Sequence, residues 1–163
     1  MGMIKFIGYI LFTGLLYSCI NMDNRIIFPA EEARRQMLEA DRSFSNMSRD
    51  KGMKAAFIEY IDSAGVLLRP NQVPLLGGNA IDYLTNINDT AFHLTWEPKN
   101  GTIAKSGDLG FSYGVYKLVP STKDTAIFGT YVSIWRKQAN GSWKFVLDTG
   151  NEGLGTEDQE KPQ

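Results

Sequence analysis

An α+β domain, three helices followed by a strongly curved antiparallel sheet, is the fold class this sequence predicts. Three observations carry it. Apolar residues recur at helical spacing before residue 62, the chain alternates with period two from Phe92 onward, and glycine-bearing turn signals cut that alternating part into long strands. A chain of 163 residues with 43% hydrophobic content has enough apolar surface for one packed core of ordinary domain size.

Pro29, Glu31 and Glu32 form a helix start, because proline suits the first turn and acids suit the positive end of the dipole. Ala33, Met37, Ala40, Phe44 and Met47 then make an apolar helical stripe. A polar break at Ser48-Arg49-Asp50 follows, with Asp50 as candidate cap of a second helix carrying Met53, Ala56, Phe57, Tyr60 and Ile61. Ala64 to Arg69 reads as a strand that stops at Pro70. A loop with Pro74 and Gly77-Gly78 precedes a third helix over Asn79 to Thr85.

Phe92, Leu94 and Trp96 share one strand face, and His93, Thr95 and Glu97 the other. Asn100-Gly101 and Asn140-Gly141 are hairpin turn signals. Between them lie strands at Thr102–Lys105, Leu109–Val119 and Ala126–Arg136, and Ser142–Thr149 closes the sheet. Gly110, Gly114 and Gly129, inside strands, predict bending.

The first eighteen residues are expected to lie outside this fold. Lys5 precedes the uncharged apolar stretch Phe6–Tyr17, too short to span a bilayer but suited to a secretory signal peptide. Leu16-Tyr17-Ser18-Cys19 resembles a bacterial lipobox, in which the cysteine is acylated and becomes the new N-terminus. Cys19 is the only cysteine of the chain, so it has no disulfide partner within it. Residues 19–28 are then a tether, residues 29–150 the folded domain and residues 151–163 a flexible tail. Ile20, with no acid after it, points to the outer membrane of a bacterial envelope.

Composition excludes several function classes. With 17 basic and 18 acidic side chains the net charge is −1, without the basic excess of a nucleic-acid binder. One His and one Cys exclude zinc fingers and multi-histidine metal centres. Gly110-Phe111-Ser112-Tyr113-Gly114 matches a nucleophile-elbow pattern, but it sits inside a strand and the one histidine precedes it, so serine hydrolysis fails. Ser48-Arg49-Asp50-Lys51 lacks the companion motifs of penicillin-recognising enzymes, and the glycine-rich run at Gly150 has no βαβ unit around it. No cofactor or metal is implied.

Asp41-Arg42-Ser43-Phe44, Ser106-Gly107-Asp108-Leu109-Gly110, Trp135-Arg136-Lys137-Gln138 and Gly141-Ser142-Trp143-Lys144-Phe145-Val146-Leu147-Asp148 resemble, in order and spacing, the domain-of-unknown-function 4440 family. That family belongs to the nuclear-transport-factor-2-like superfamily, with the ketosteroid isomerases and the SnoaL-like polyketide cyclases. The likeness covers about residues 30–150. It implies a cystatin-like cone: three helices packed into the concave side of a curved sheet, a pocket at the open end, and homodimers.

Pocket chemistry of that kind needs a base and an oxyanion donor. Asp41 is the first candidate base, since it lies on the helical stripe that faces the sheet; the competing role is a structural clamp bonded to a strand or to Arg69. His93 is the second candidate base. Candidate ligand-binding residues are Tyr60, Trp96, Asp108, Tyr113, Tyr131 and Trp135, with Tyr116 also on a strand. Arg69 suits either binding an acid or capping its strand. Three readings result: a pocket for a small apolar or aromatic ligand, an isomerase, cyclase or dehydratase working from Asp41 or His93 with a Tyr donor, and a dimeric interaction scaffold.

Overall fold

The structure, a computed structural model, describes residues 22–122 and 125–154, with side chains from Ala30 onward. The lipobox with Cys19, the leader and the last nine residues lie outside the described residues. Helix α1 spans Met22–Lys51, so Pro29 stands within it and the expected tether is helical from Met22. The polar run Ser48-Arg49-Asp50 does not break the helix. Gly52 does, at φ 89°, and no side chain of its own caps α2 (Met53–Tyr60). The cap comes from far along the chain instead: the Lys54 N–H donates to Asp89 Oδ2 at 2.9 Å. Strand β1 (Ile61–Leu67) follows directly, then the two-residue β2 (Leu75–Leu76) and α3 (Gly78–Asn86).

A 3₁₀ turn at Asp89–Ala91 leads into four long strands: β3 (Phe92–Ile103), β4 (Leu109–Pro120), β5 (Ile127–Lys137) and β6 (Trp143–Glu152). They form a meander, and the full sheet runs β2-β1-β6-β5-β4-β3. β1 pairs with β6 in parallel, so the sheet is mixed where alternation alone predicted an antiparallel one. β6 extends three residues beyond Thr149, into the span expected to be tail.

Asn100-Gly101 is not a turn. β3 runs through it with a bulge between Pro98 and Asn100, and the chain reverses at Ser106-Gly107-Asp108, where Gly107 has φ 77°. The Asn100 carboxamide oxygen accepts from the Gly101 N–H at 2.8 Å and from Arg34 Nη1 at 2.9 Å, so its side chain satisfies the bulge and ties it to α1. Gly101 is required for room: a Cβ there would meet the Phe111 carbonyl oxygen at 2.4 Å and the Met37 methyl at 2.8 Å. The Asn140-Gly141 turn forms as expected, with Gly141 at φ 86°.

β3 is an edge strand, and α1 covers it. The Ser45 hydroxyl donates to the Trp96 carbonyl at 2.6 Å and accepts from the Trp96 N–H at 2.9 Å, and the Ser48 hydroxyl donates to the Leu94 carbonyl at 2.6 Å. Two serines on the helix thus stand where a neighbouring strand would pair. On the opposite sheet face Phe111, Tyr113 and Phe128 are exposed.

The inner face is organised in cross-strand rows. Ile103, Gly110, Trp135 and Phe145 line up at one end, followed by Gly101, Ser112, Ser133 and Asp148. The next row is Pro98, Gly114, Tyr131 and Gly150, and the last to cross all four strands is Trp96, Tyr116, Gly129 and Glu152. The first row is sealed by α1 and α2, with Trp135 and Phe145 fully buried. Phe44 of α1 plugs the centre, its ring within 4.4–6.1 Å of the rings of Phe57, Tyr60, Trp96, Trp135 and Phe145. Beyond Phe44 the rows open.

Candidate functional site

The opening is made by what the last two rows lack. Gly114, Gly129 and Gly150 stand on three adjacent strands facing inward, where other positions carry bulky side chains. A Cβ on Gly114 would meet Tyr131 at 2.9 Å and one on Gly129 the Tyr116 ring at 2.5 Å, so the two tyrosine rings lie down across bare backbone. A pocket of about 180 Å³ remains above them. Its apolar wall comes from Phe44, Met53, Phe57, Leu94, Trp96 and Leu118; Tyr116 and Tyr131 form the floor; Arg69, Asp148 and Glu152 stand at its polar side.

Asp41 lies beneath this floor, not in it. Its side chain is fully buried; Oδ1 accepts from Trp96 Nε1 at 2.7 Å and Oδ2 from the Tyr131 hydroxyl at 2.8 Å. Burial pushes its carboxyl above the usual carboxylate range, against the opposing pull of the Ser112, Trp96 and Tyr131 donors. Ser112 in turn accepts from Trp135 Nε1 at 2.8 Å, extending the polar chain to the sealed end. Burial and the adjacent Asp41 charge push the Tyr131 phenol well above its ordinary value, so that hydroxyl keeps its proton. With that proton aimed at Asp41 Oδ2, the Tyr131 oxygen presents lone pairs to the pocket, and Trp96 presents only its ring.

A second buried carboxylate organises the pocket side. Asp148 accepts from Ser133 at 2.7 Å on one oxygen and from Arg69 Nη2 at 2.7 Å on the other. Arg69 Nη1 also donates to the carbonyls of Leu68 and Asp148, and the guanidinium carbon lies 5.5 Å from the centroid of the Phe57 ring. Arg69 therefore pairs with Asp148, and Asp41 with Trp96 and Tyr131.

The structure brings Asp41, Trp96 and Tyr131 together and separates the other candidates. His93 is exposed on the outer face of β3, opposite to Leu94 and Trp96, because strand side chains alternate. Tyr113 is 46% exposed on that same outer face, where it neighbours Phe111. Asp108 is exposed in the β3–β4 turn, accepting from the Ser106 hydroxyl. Trp135 is buried at the sealed end, and Tyr60, the last residue of α2, stacks on Phe44, its hydroxyl pushed up by burial and by Glu59. Neither borders the pocket. Asp148, Glu152 and the inner glycines were not singled out in the sequence as site residues; inward-facing glycines within two adjacent rows of three neighbouring strands are the signal that could have found the pocket. Among the described residues no group of three His, Cys, Asp or Glu comes together as a metal site, and no helix is long and apolar enough to cross a membrane.

No protein-family model and no curated protein matches the chain. Solved structures do. An NTF2-like protein with a cystatin-like fold from Novosphingobium aromaticivorans superposes with a TM-score of 0.62 at 13% identity, covering 87% of this chain and 94% of that one. A ketosteroid isomerase-like protein from Erwinia carotovora atroseptica gives 0.58 at 17% identity, over 73% and 95%. The hexachlorocyclohexane dehydrochlorinase LinA-type3 from Novosphingobium barchaimii gives 0.53 at 17%, over 80% and 91%. At these identities the likeness is one of fold: the chain has the nuclear-transport-factor-2-like, cystatin-like α+β architecture.

Proposed function

We propose that this protein is a lipid-anchored envelope protein whose pocket binds a small apolar or aromatic molecule. The observation that carries the binding reading is the state of the polar groups. Among the described residues the one buried side-chain N or O atom without a partner is Trp143 Nε1, which does not border the pocket. Asp41, the deepest acid, has both oxygens occupied and no exposed surface, and His93 lies on the outer face, so neither candidate base faces a ligand. A volume of about 180 Å³ is close to the roughly 150 Å³ that accommodates benzene and below the roughly 300–1,000 Å³ of drug-sized sites. The ligand part it encloses is therefore a single ring or a short branched chain, not a fused polycycle.

Toluene added to residues 20–163 is expected to shift the methyl resonances of Met53, Leu94 and Leu118 saturably, and a Leu94→Trp variant, which fills the pocket, to abolish the shifts. Unsaturable or unchanged shifts in the wild type would defeat the reading. The anchor is checked separately. Expressed in a bacterium with its own leader, the chain should carry acyl mass at Cys19 and fractionate with outer membranes, whereas Cys19→Ala should not.

A second reading, an isomerase, cyclase or dehydratase, is favoured by the contact between Asp41 and Tyr131, since a proton could pass from the pocket to Asp41 through the Tyr131 hydroxyl. It requires turnover that Asp41→Asn abolishes. The exposed Phe111, Tyr113 and Phe128 face favours a homodimer joined through the sheet, which sedimentation of the same sample would reveal as twice the monomer mass.

A further inference from the structure

Arg69 borders the pocket and has donors to spare. A guanidinium carries five N–H groups. Three are engaged at most: Nη1 with the carbonyls of Leu68 and Asp148, and Nη2 with Asp148 Oδ1. Nε–H and one Nη2–H, which together form one edge of the fork, have no partner among the described residues. The side chain is held by the Asp148 ion pair and by the Phe57 ring, with 18% of its surface exposed, so this edge is presented in a fixed orientation.

We infer that the pocket takes a carboxylate-bearing single-ring ligand, its ring against Phe57 and Trp96 and its carboxylate on the open edge of Arg69. The inference rests on the binding reading above and adds the ligand's polar group. Two parallel N–H donors match the two oxygens of a carboxylate, a fit that a carbonyl uses only by half. The other charges around the pocket permit it. Asp148 has each oxygen bonded, to Arg69 and to Ser133, so its charge is compensated within the site. Asp41 lies behind Trp96 and Tyr131 with donors on both oxygens. Glu152 is exposed at the end of β6, where water screens it. Tyr116, raised by burial and by Glu152, stays neutral.

The test uses the full chain in lipid nanodiscs and three probes of similar size: benzoate, benzyl alcohol and benzylammonium. Benzoate should bind about tenfold or more tightly than the other two, the increment expected of hydrogen bonds to a charged group, and should shift the Arg69 Nε–H resonance. Arg69→Lys keeps the charge beside Asp148 but loses the fork, and should weaken benzoate about tenfold while leaving benzyl alcohol within about twofold. Equal affinities for benzoate and benzyl alcohol, a preference for benzylammonium, or an unaltered benzoate affinity in Arg69→Lys would each overturn the assignment. Should Arg69→Lys fail to fold, the ranking of probes on the wild type still decides. Binding of none of the three would overturn the pocket reading itself, a different result from binding without preference for the acid.

Discussion

Replacing Phe44 by alanine should destabilise the protein by about 4 kcal/mol and lower its melting temperature by roughly 15 °C. Phe44 is 1% exposed and touches five aromatic rings drawn from α2, β3, β5 and β6, so its removal opens a void between the two layers at their centre. The lost transfer energy adds to a cavity term of about 24 cal/mol per Å³, because rings held by a curved sheet relax only in part. Phe44 also borders the pocket, so the void joins the site and enlarges it. The variant should then recover stability on addition of a neutral aromatic such as toluene, by about 2.7 kcal/mol at a hundredfold excess over the dissociation constant. A loss below about 1 kcal/mol in chemical denaturation would show that Phe44 is not the centre of the core.

Asp41→Ala should cost about 3 kcal/mol, since the buried Trp96 indole and Tyr131 hydroxyl both lose their acceptor and each unsatisfied donor costs about 1–3 kcal/mol. The two side chains line the pocket, so ring-probe affinity should fall with stability. Asp41→Asn keeps the shape and isolates the charge. The carboxyl is raised in the folded state, so the native protein holds its proton at pH values where the unfolded chain has released it. This group's contribution to stability is therefore full below the unfolded value near 3.8 and is lost as pH rises from there through the folded value. Compared with Asp41→Asn, the wild type should gain stability as pH falls from neutral towards 4. The opposite trend would mean that the three donors outweigh burial and hold Asp41 ionised.

The same pair of residues shows how far the candidate site was legible. That Asp41 faces the sheet follows from its place between Met37 and Phe44 on the helical stripe. That it lies under the pocket floor does not, because this depends on which strand positions stand opposite. Trp96 and Tyr131 are 35 residues apart in sequence and meet at Asp41 only through the β3–β4–β5 register. The placement of His93 needed that same register, since alternation says that His93 and Trp96 face opposite ways without saying which way is inward. Arg69, at the end of its strand, was equally suited to an acid or to a cap. It meets Asp148 because β1 runs parallel beside β6, a pairing that no local pattern announces.

Local signals determined much of the fold. Apolar spacing of 3.6 placed the helices, period-two alternation placed the strands, and the Asn140-Gly141 turn formed where its positive-φ glycine allows. These rest on backbone sterics and on burial of one face, both of which act over a few residues. Where local signals failed, a distant neighbour had overridden them. Asn100-Gly101 became a bulge because Arg34, Met37 and Phe111 approach it, and α2 is capped by Asp89 from across the chain. The pocket belongs wholly to the tertiary level. Gly114, Gly129 and Gly150 are ordinary strand glycines until the sheet gathers them into two adjacent rows, and only then does the missing side-chain volume become a space that a ligand can fill.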